Sequence, residues 1–158
     1  MVEHDFEVMR ICVKSYLSHM RLIKDDMREI QLRIRDIKDR LDVMAVDYSK
    51  DSVSSSSDGD TIGTAIARIE ELQQELSDRI INYQKLLSDA QDMCQPHFVG
   101  RYAMWLHEVE QKTWTYVARC IGYSESRTYD IAEAGIREIY YEMPEEYRRY
   151  SIPNALPN

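Results

Sequence analysis

The side chains able to do chemistry are scattered along this chain. Asp25 and Asp26 form an adjacent carboxylate pair, but neighbours at i and i+1 on a helix do not face each other. The histidines His4, His19, His97 and His107 are spread across the chain, with no second ligand at a metal-binding spacing. Cys12, Cys94 and Cys120 are odd in number and far apart, which reads as reduced thiols filling a core, not as a disulfide or metal set. No glycine-rich phosphate loop occurs, and no nucleophile stands beside a base in a recognisable frame. The expectation is a protein that is not an enzyme and takes no cofactor and no metal. What remains is recognition chemistry, concentrated between Thr113 and Ile139.

That stretch predicts two short helices around a tight turn. Trp114, Val117, Ala118 and Ile121 follow the i, i+3, i+4, i+7 spacing of one apolar face. Gly122 comes next, a residue able to take positive φ and end a helix. Ser124 stands where an N-cap belongs, its hydroxyl able to accept from a free backbone N–H. Thr128, Ile131, Gly135, Ile136 and Ile139 then share one side of the following helix. Ala118 and Gly135 are small enough for two helices to cross closely, and the expectation pairs them. In a helix-turn-helix the second helix offers its first turns to a DNA major groove. The same pattern also fits a plain helical corner.

The elements that must position this stretch are helical as well. Of 158 residues, 30% are charged and 44% hydrophobic, with few glycines and prolines, a balance that predicts an all-α soluble protein. No run of eighteen apolar residues exists to span a membrane, and the acidic start, MVEHDFEVMR, lacks a signal peptide's apolar core. Phe6, Met9, Val13, Tyr16, Met20, Ile23, Met27, Ile30, Ile34, Ile37, Leu41 and Met44 repeat in a 3-4 spacing, a coiled-coil seam predicting a helix over about 4–45. Val8, Ile11, Cys12 and Leu17 widen the apolar surface near its start, so that end is expected to pack on more than one helix. Serine, aspartate and glycine over 49–60 predict a flexible loop. A second helix, capped by Asp60 or Thr61, carries Ile62, Ile66, Ile69, Leu72, Leu76, Ile80, Tyr83, Leu87 and Ala90, with a stutter in the spacing. Pro96 ends it. A third helix starts near Val99 or Gly100, with Tyr102, Trp105, Leu106 and Val109 inward. The resulting architecture is a long antiparallel helical hairpin over 1–95, a small helix-turn-helix domain over 96–150, and a frayed tail over 151–158. A narrow hairpin leaves apolar edges bare, so a homodimer is expected.

Charge qualifies any nucleic-acid reading. The net charge is −8. Residues 1–60 carry ten basic and thirteen acidic groups, residues 61–99 three and six, and residues 100–158 seven and nine. No segment is basic, and phosphate neutralisation is what gives most non-specific DNA affinity.

From Ser124 onward, GYSESRTYDIAEAGIREI resembles the recognition helix of the region-4 domain of bacterial sigma-70 factors. It is more closely similar to phage late-gene transcription regulators of the ArpU/RinA type, whose C-terminal motif W-x-x-(I/V)-A-x-x-(I/L)-G-Y-S-x-S-x-x-Y is carried here by Trp114, Val117, Ala118, Ile121, Gly122, Tyr123, Ser124, Ser126 and Tyr129. The specific part covers about 25 residues. The resemblance implies a phage or prophage transcription regulator that binds double-stranded DNA in the cytoplasm of a bacterial host, with host RNA polymerase as a further partner. It implies that Glu125, Ser126, Tyr129 and Asp130 face the groove, after the capping Ser124. Sigma factors favour arginine at the first and third of these positions, where this chain has Glu125 and Tyr129. Arg127 is the strongest candidate contact, and Lys112, Arg119 and Arg137 are candidates for flanking phosphates. Two other readings stay open: an acidic protein-binding factor acting on RNA polymerase or a nucleic-acid enzyme, and a packaging protein like a small terminase subunit.

Overall fold

The computed structural model describes the backbone of residues 2–50 and 56–148 and the side chains of residues 5–46 and 63–148. The fold is all-α. Among the described residues the elements are α1 (Val2–Lys50), α2 (Ser56–Met93), α3 (Val99–Glu108), α4 (Trp114–Ile121), α5 (Glu125–Glu142) and the single turn α6 (Glu145–Arg148). Both long helices exceed their expected bounds of 4–45 and 60 onward. No proline stands at either margin, and a nucleated helix extends at little cost per residue. Of the expected serine-rich loop, 51–55 lies outside the described residues, as does the tail over 151–158.

The chain divides into two compact units, one of Lys24–Lys85 and one of Met1–Ile23 with Leu86–Asn158. The expected boundary near residue 95 therefore moves: the first turns of α1 and the last turns of α2 belong with the C-terminal helices.

In the unit of Lys24–Lys85, the α1 seam lies where its heptad puts it. Ile30 is buried, and Met27, Ile34, Ile37, Leu41 and Met44 are half-buried. On α2 the seam differs from expectation. Leu72 is 47% exposed, and Gln73 is half-buried in its place. Ile66, Ile69, Gln73, Leu76, Ile80 and Tyr83 then keep an unbroken 3-4 spacing, so there is no stutter. Helix geometry decides this: four residues on from Ile69 the seam falls on Gln73, and one side chain's hydrophobicity does not rotate the helix. A polar seam residue loses some burial and selects one register. The Tyr83 hydroxyl, and more weakly the Asp26 carboxylate, favour the charged form of Arg79, whose Nη2 donates to Tyr83 at 3.5 Å.

The C-terminal unit is built on a close crossing of α3 and α5. Gly135 meets Gly100 and Arg101, and a Cβ added at Gly135 would stand 2.2 Å from the Gly100 carbonyl carbon. The expected partner of Gly135 was Ala118. That pairing is corrected, because the backbone that approaches Gly135 belongs to α3. Ala103, Met104, Trp105 and Leu106 are buried on α3, so this short helix is enclosed nearly all round, as a central helix must be. Tyr102, expected inward, is half-buried beside a cluster of Ala103, Leu106 and Val117 with Trp114 and Ile121.

The first turns of α1 cover the same unit. Cys12, Val13 and Leu17 are fully buried, while Ile11, expected to widen that surface, is 47% exposed. Ile11 precedes the buried Cys12 by one residue, and a helical step of one turns it towards solvent. Lys14 reaches Glu108 at 4.0 Å and Arg10 reaches Glu133 at 3.6 Å. Tyr16 packs edge-on against Tyr147, ring centroids 4.8 Å apart. The Tyr147 hydroxyl and His19 Nδ1 share a hydrogen bond of 2.6 Å.

Candidate nucleic-acid interface

Local sequence chemistry sets the turn between α4 and α5. Thr113 caps α4, its hydroxyl accepting from the Tyr116 N–H at 3.3 Å. Gly122 ends α4 in the left-handed region, at φ 79 and ψ 28, where a Cβ would be strained. The Gly122 and Tyr123 N–H groups both donate to the Ala118 carbonyl, at 3.0 and 3.2 Å. Ser124 then caps α5, its hydroxyl accepting from the Arg127 N–H at 3.2 Å. The Thr128 hydroxyl, fully buried, donates to the Ser124 carbonyl at 2.8 Å. Three residues thus separate the two helices, and every one of them has a conformational task.

With Thr128 turned inward, the other side chains of the first α5 turns face out. Glu125, Ser126, Arg127, Tyr129 and Asp130 are all exposed. The guanidinium groups of Arg119 on α4 and Arg127 on α5 have no acidic partner among the described residues. Lys112 is exposed, and its ammonium lies 5.1 Å from the Tyr116 ring centroid. Arg137 stands apart from this group. It is nearly three turns beyond Arg127 on α5, and its guanidinium lies 4.6 Å from the Phe6 ring centroid on α1. The cap and first turns of α5 thus hold Ser124, Glu125, Ser126, Arg127, Tyr129 and Asp130 together, while Arg119 is in the last turn of α4, Lys112 precedes α4 and Arg137 lies further along α5.

An aromatic stack that spacing does not reveal supports Tyr129. His107 lies face to face with Trp114 at 4.0 Å and 20°, and Trp114 meets Tyr129 at 5.2 Å. His107 Nδ1 is 2.8 Å from the Lys112 carbonyl, which can only accept, so Nδ1 donates there. The connection between α3 and α4 folds back through Gln111 at φ 56, the step that brings His107 against Trp114. Tyr116 and Tyr123 add two exposed rings, at 45% and 48%. The neighbouring Cys120 side chain holds the Tyr116 titration above the ordinary phenol range. Among the described residues no group of histidine, cysteine and carboxylate side chains is placed to hold a metal ion, and no helix is long and apolar enough to cross a membrane.

Comparison with protein-family models, curated proteins and solved structures finds no match.

Proposed function

We propose that this chain is a DNA-binding transcriptional regulator of a phage or prophage, reading double-stranded DNA with the first turns of α5. The observation that carries the reading is the pairing of a locked underside with a polar outer face: Thr128 is held to the Ser124 carbonyl at 2.8 Å, while Glu125, Ser126, Arg127, Tyr129 and Asp130 are exposed. In this reading α4, the Gly122 turn and α5 act as a helix-turn-helix. Arg127 contacts a guanine edge or a phosphate, Glu125 accepts from a cytosine amino group, and Tyr129 donates to phosphate. Ser124 holds the helix start, Ser126 is a permissive contact, and Asp130 restrains the choice of neighbouring base. Lys112 and Arg119 meet flanking phosphates. Arg137 joins them only by leaving Phe6. A homodimer formed through the long hairpin presents two such helices to two half-sites, with host RNA polymerase as a further partner.

The test is selection of bound sequences from a random DNA pool at moderate salt, followed by anisotropy titration of the selected site. Arg127→Ala is expected to weaken specific binding by about 1–3 kcal/mol. Unchanged specific binding by that variant would remove α5 as the reader.

The net charge of −8 favours a second reading, an acidic factor that uses the same shape to bind a basic protein surface. An empty DNA selection, with one stoichiometric basic protein recovered from host lysate, supports it. A packaging role like that of a small terminase subunit predicts a ring, which a solution mass measurement distinguishes from a dimer.

A further inference from the structure

A cleft of about 460 Å³ opens in the C-terminal unit, at the end of α5 away from its exposed first turns. Three carboxylates line it: Asp89 and Asp92, one turn apart on α2, and Glu142, the last residue of α5. All three are exposed, and none has a basic partner among the described residues. Behind them lies Tyr16, which lines the cleft although it is only 2% exposed. Its hydroxyl makes no hydrogen bond with any described residue and is not among the fully enclosed polar atoms. Buried hydroxyls normally find a partner, and Tyr16 borders the cleft.

Backbone electrostatics point the same way. Helix α2 ends at Met93 and α5 at Glu142, both beside the cleft. The last carbonyls of a helix carry partial negative charge and favour nearby cations. Two arginines of the chain already answer to them. Arg101 Nη1 donates to the Met93 carbonyl at 3.4 Å, and Arg148 Nη2 to the Met143 carbonyl at 3.3 Å. Arg101 lines the cleft as well, but its guanidinium is engaged with Glu138 at 2.9 Å and with the Phe98 ring at 4.3 Å, so it pairs with none of the three carboxylates. Met93, Phe98 and Pro144 supply apolar wall.

We propose that this cleft binds a lysine or arginine side chain presented by a partner protein. The cationic head lies among Asp89, Asp92, Glu142 and the Tyr16 hydroxyl, and the alkyl stem lies against Met93, Phe98 and Pro144. A long cationic side chain buries its stem while its head keeps polar company, which matches acids at an open rim over an apolar wall. An enclosed small-molecule pocket would surround its ligand instead. Helix α5 has 18 residues, roughly 27 Å at ~1.5 Å per residue. An occupant here therefore does not compete with a ligand on the first turns of α5, and the cleft can be filled whether or not those turns read DNA.

The test is an NMR titration of the isotope-labelled full chain with a capped peptide, Ala-Ala-Arg-Ala-Ala, and with its uncharged citrulline counterpart. The expected result is saturable shifts at Tyr16, Met93, Phe98 and Glu142 with the arginine peptide alone. Asp92→Asn combined with Glu142→Gln is expected to weaken binding at least about tenfold, and Tyr16→Phe several-fold with the rest of the spectrum unchanged. Equal responses to the two peptides would overturn the proposal. So would shifts that never saturate and extend to Glu70, Glu71 and Glu75. Spermidine, run in parallel, decides the source of the cation: saturation of the cleft by spermidine but not by the peptide refutes a protein partner.

Discussion

Replacing Gly135 by alanine tests the crossing on which the C-terminal unit is built. The added Cβ would stand 2.2 Å from the Gly100 carbonyl carbon, 2.3 Å from its oxygen and 2.8 Å from the Arg101 nitrogen, where ordinary contact is 3.4–4 Å. All three atoms are backbone, so no side chain can swing away. Helices α3 and α5 must part by about 1 Å, loosening the contacts around Ala132, Ile136 and Ile139. Overpacking costs about 1–3 kcal/mol where neighbours can adjust, and here the upper end applies. Alanine's better helix propensity returns about 1 kcal/mol. The net loss is about 2 kcal/mol, which for a unit of roughly 100 residues lowers Tm by about 8–16 °C. Trp105 and Trp114 are the only tryptophans and both lie in this unit, so thermal unfolding followed by their fluorescence reports it selectively. Gly63→Ala is the control, because a Cβ there meets nothing within 4 Å. It is expected to leave the tryptophan transition in place. A Gly135→Ala transition at or above the unsubstituted temperature would refute the reasoning, since the helices would then have room that the geometry denies.

Three further outcomes follow from the turn, the buried thiol and the exposed cations. Ser124→Ala removes the α5 cap and is expected to lower stability by about 1 kcal/mol, whereas Ser124→Gly loses only a few tenths; urea midpoints compare the two. Burial pushes the Cys94 thiol from its ordinary value of 9.0 up to about 12, with Arg101 pulling weakly the other way. A folded pKa above the unfolded one means stability is whole below about pH 9 and declines as pH rises towards 12, and the decline should flatten in Cys94→Ala when unfolding is measured across that range. On a selected DNA site, Arg127→Ala and Arg119→Ala should each reduce the slope of log affinity against log salt by about 0.9 if they meet phosphates, and an unaltered slope assigns that side chain elsewhere.

Period and capping chemistry make much of the fold legible in the sequence. Every α1 seam residue from Phe6 to Met44 is at least half-buried, because a 3-4 repeat over that length has one helical solution. Ser124 and Gly122 were readable for the same reason, each being a residue type suited to one local conformation. Position by position, hydrophobicity was a poorer guide. Leu72 looked like seam and Gln73 did not, yet the phase carried from Ile69 to Leu76 places Gln73 inward. The partner of Gly135 was not legible, since a glycine shows that something comes close without showing what. The His107–Trp114–Tyr129 stack depends on Gln111 adopting φ 56, a conformation unusual for glutamine. The cleft draws on Tyr16, Asp92, Phe98 and Glu142, four segments that no local pattern connects.

Helix α5 ties these features into one electrostatic argument. Its dipole places partial positive charge at Ser124–Arg127 and partial negative charge at Glu142. The side chains at each end reinforce that polarity unevenly. Arg127 adds a full cation at the start, where Glu125 and Asp130 oppose it. At the far end Glu142, Asp89 and Asp92 all add to the negative end, and Arg101 is already held by Glu138 at 2.9 Å. The N-terminal end therefore has little net positive charge, and the proposed DNA reading would need shape, a second copy or a partner to hold DNA there. The C-terminal end is the stronger charge site and favours a cation. If the first turns of α5 read DNA as proposed and the cleft holds a basic protein segment, a chain of net charge −8 gains affinity from linking the two ligands, because binding of the first makes the second effectively intramolecular.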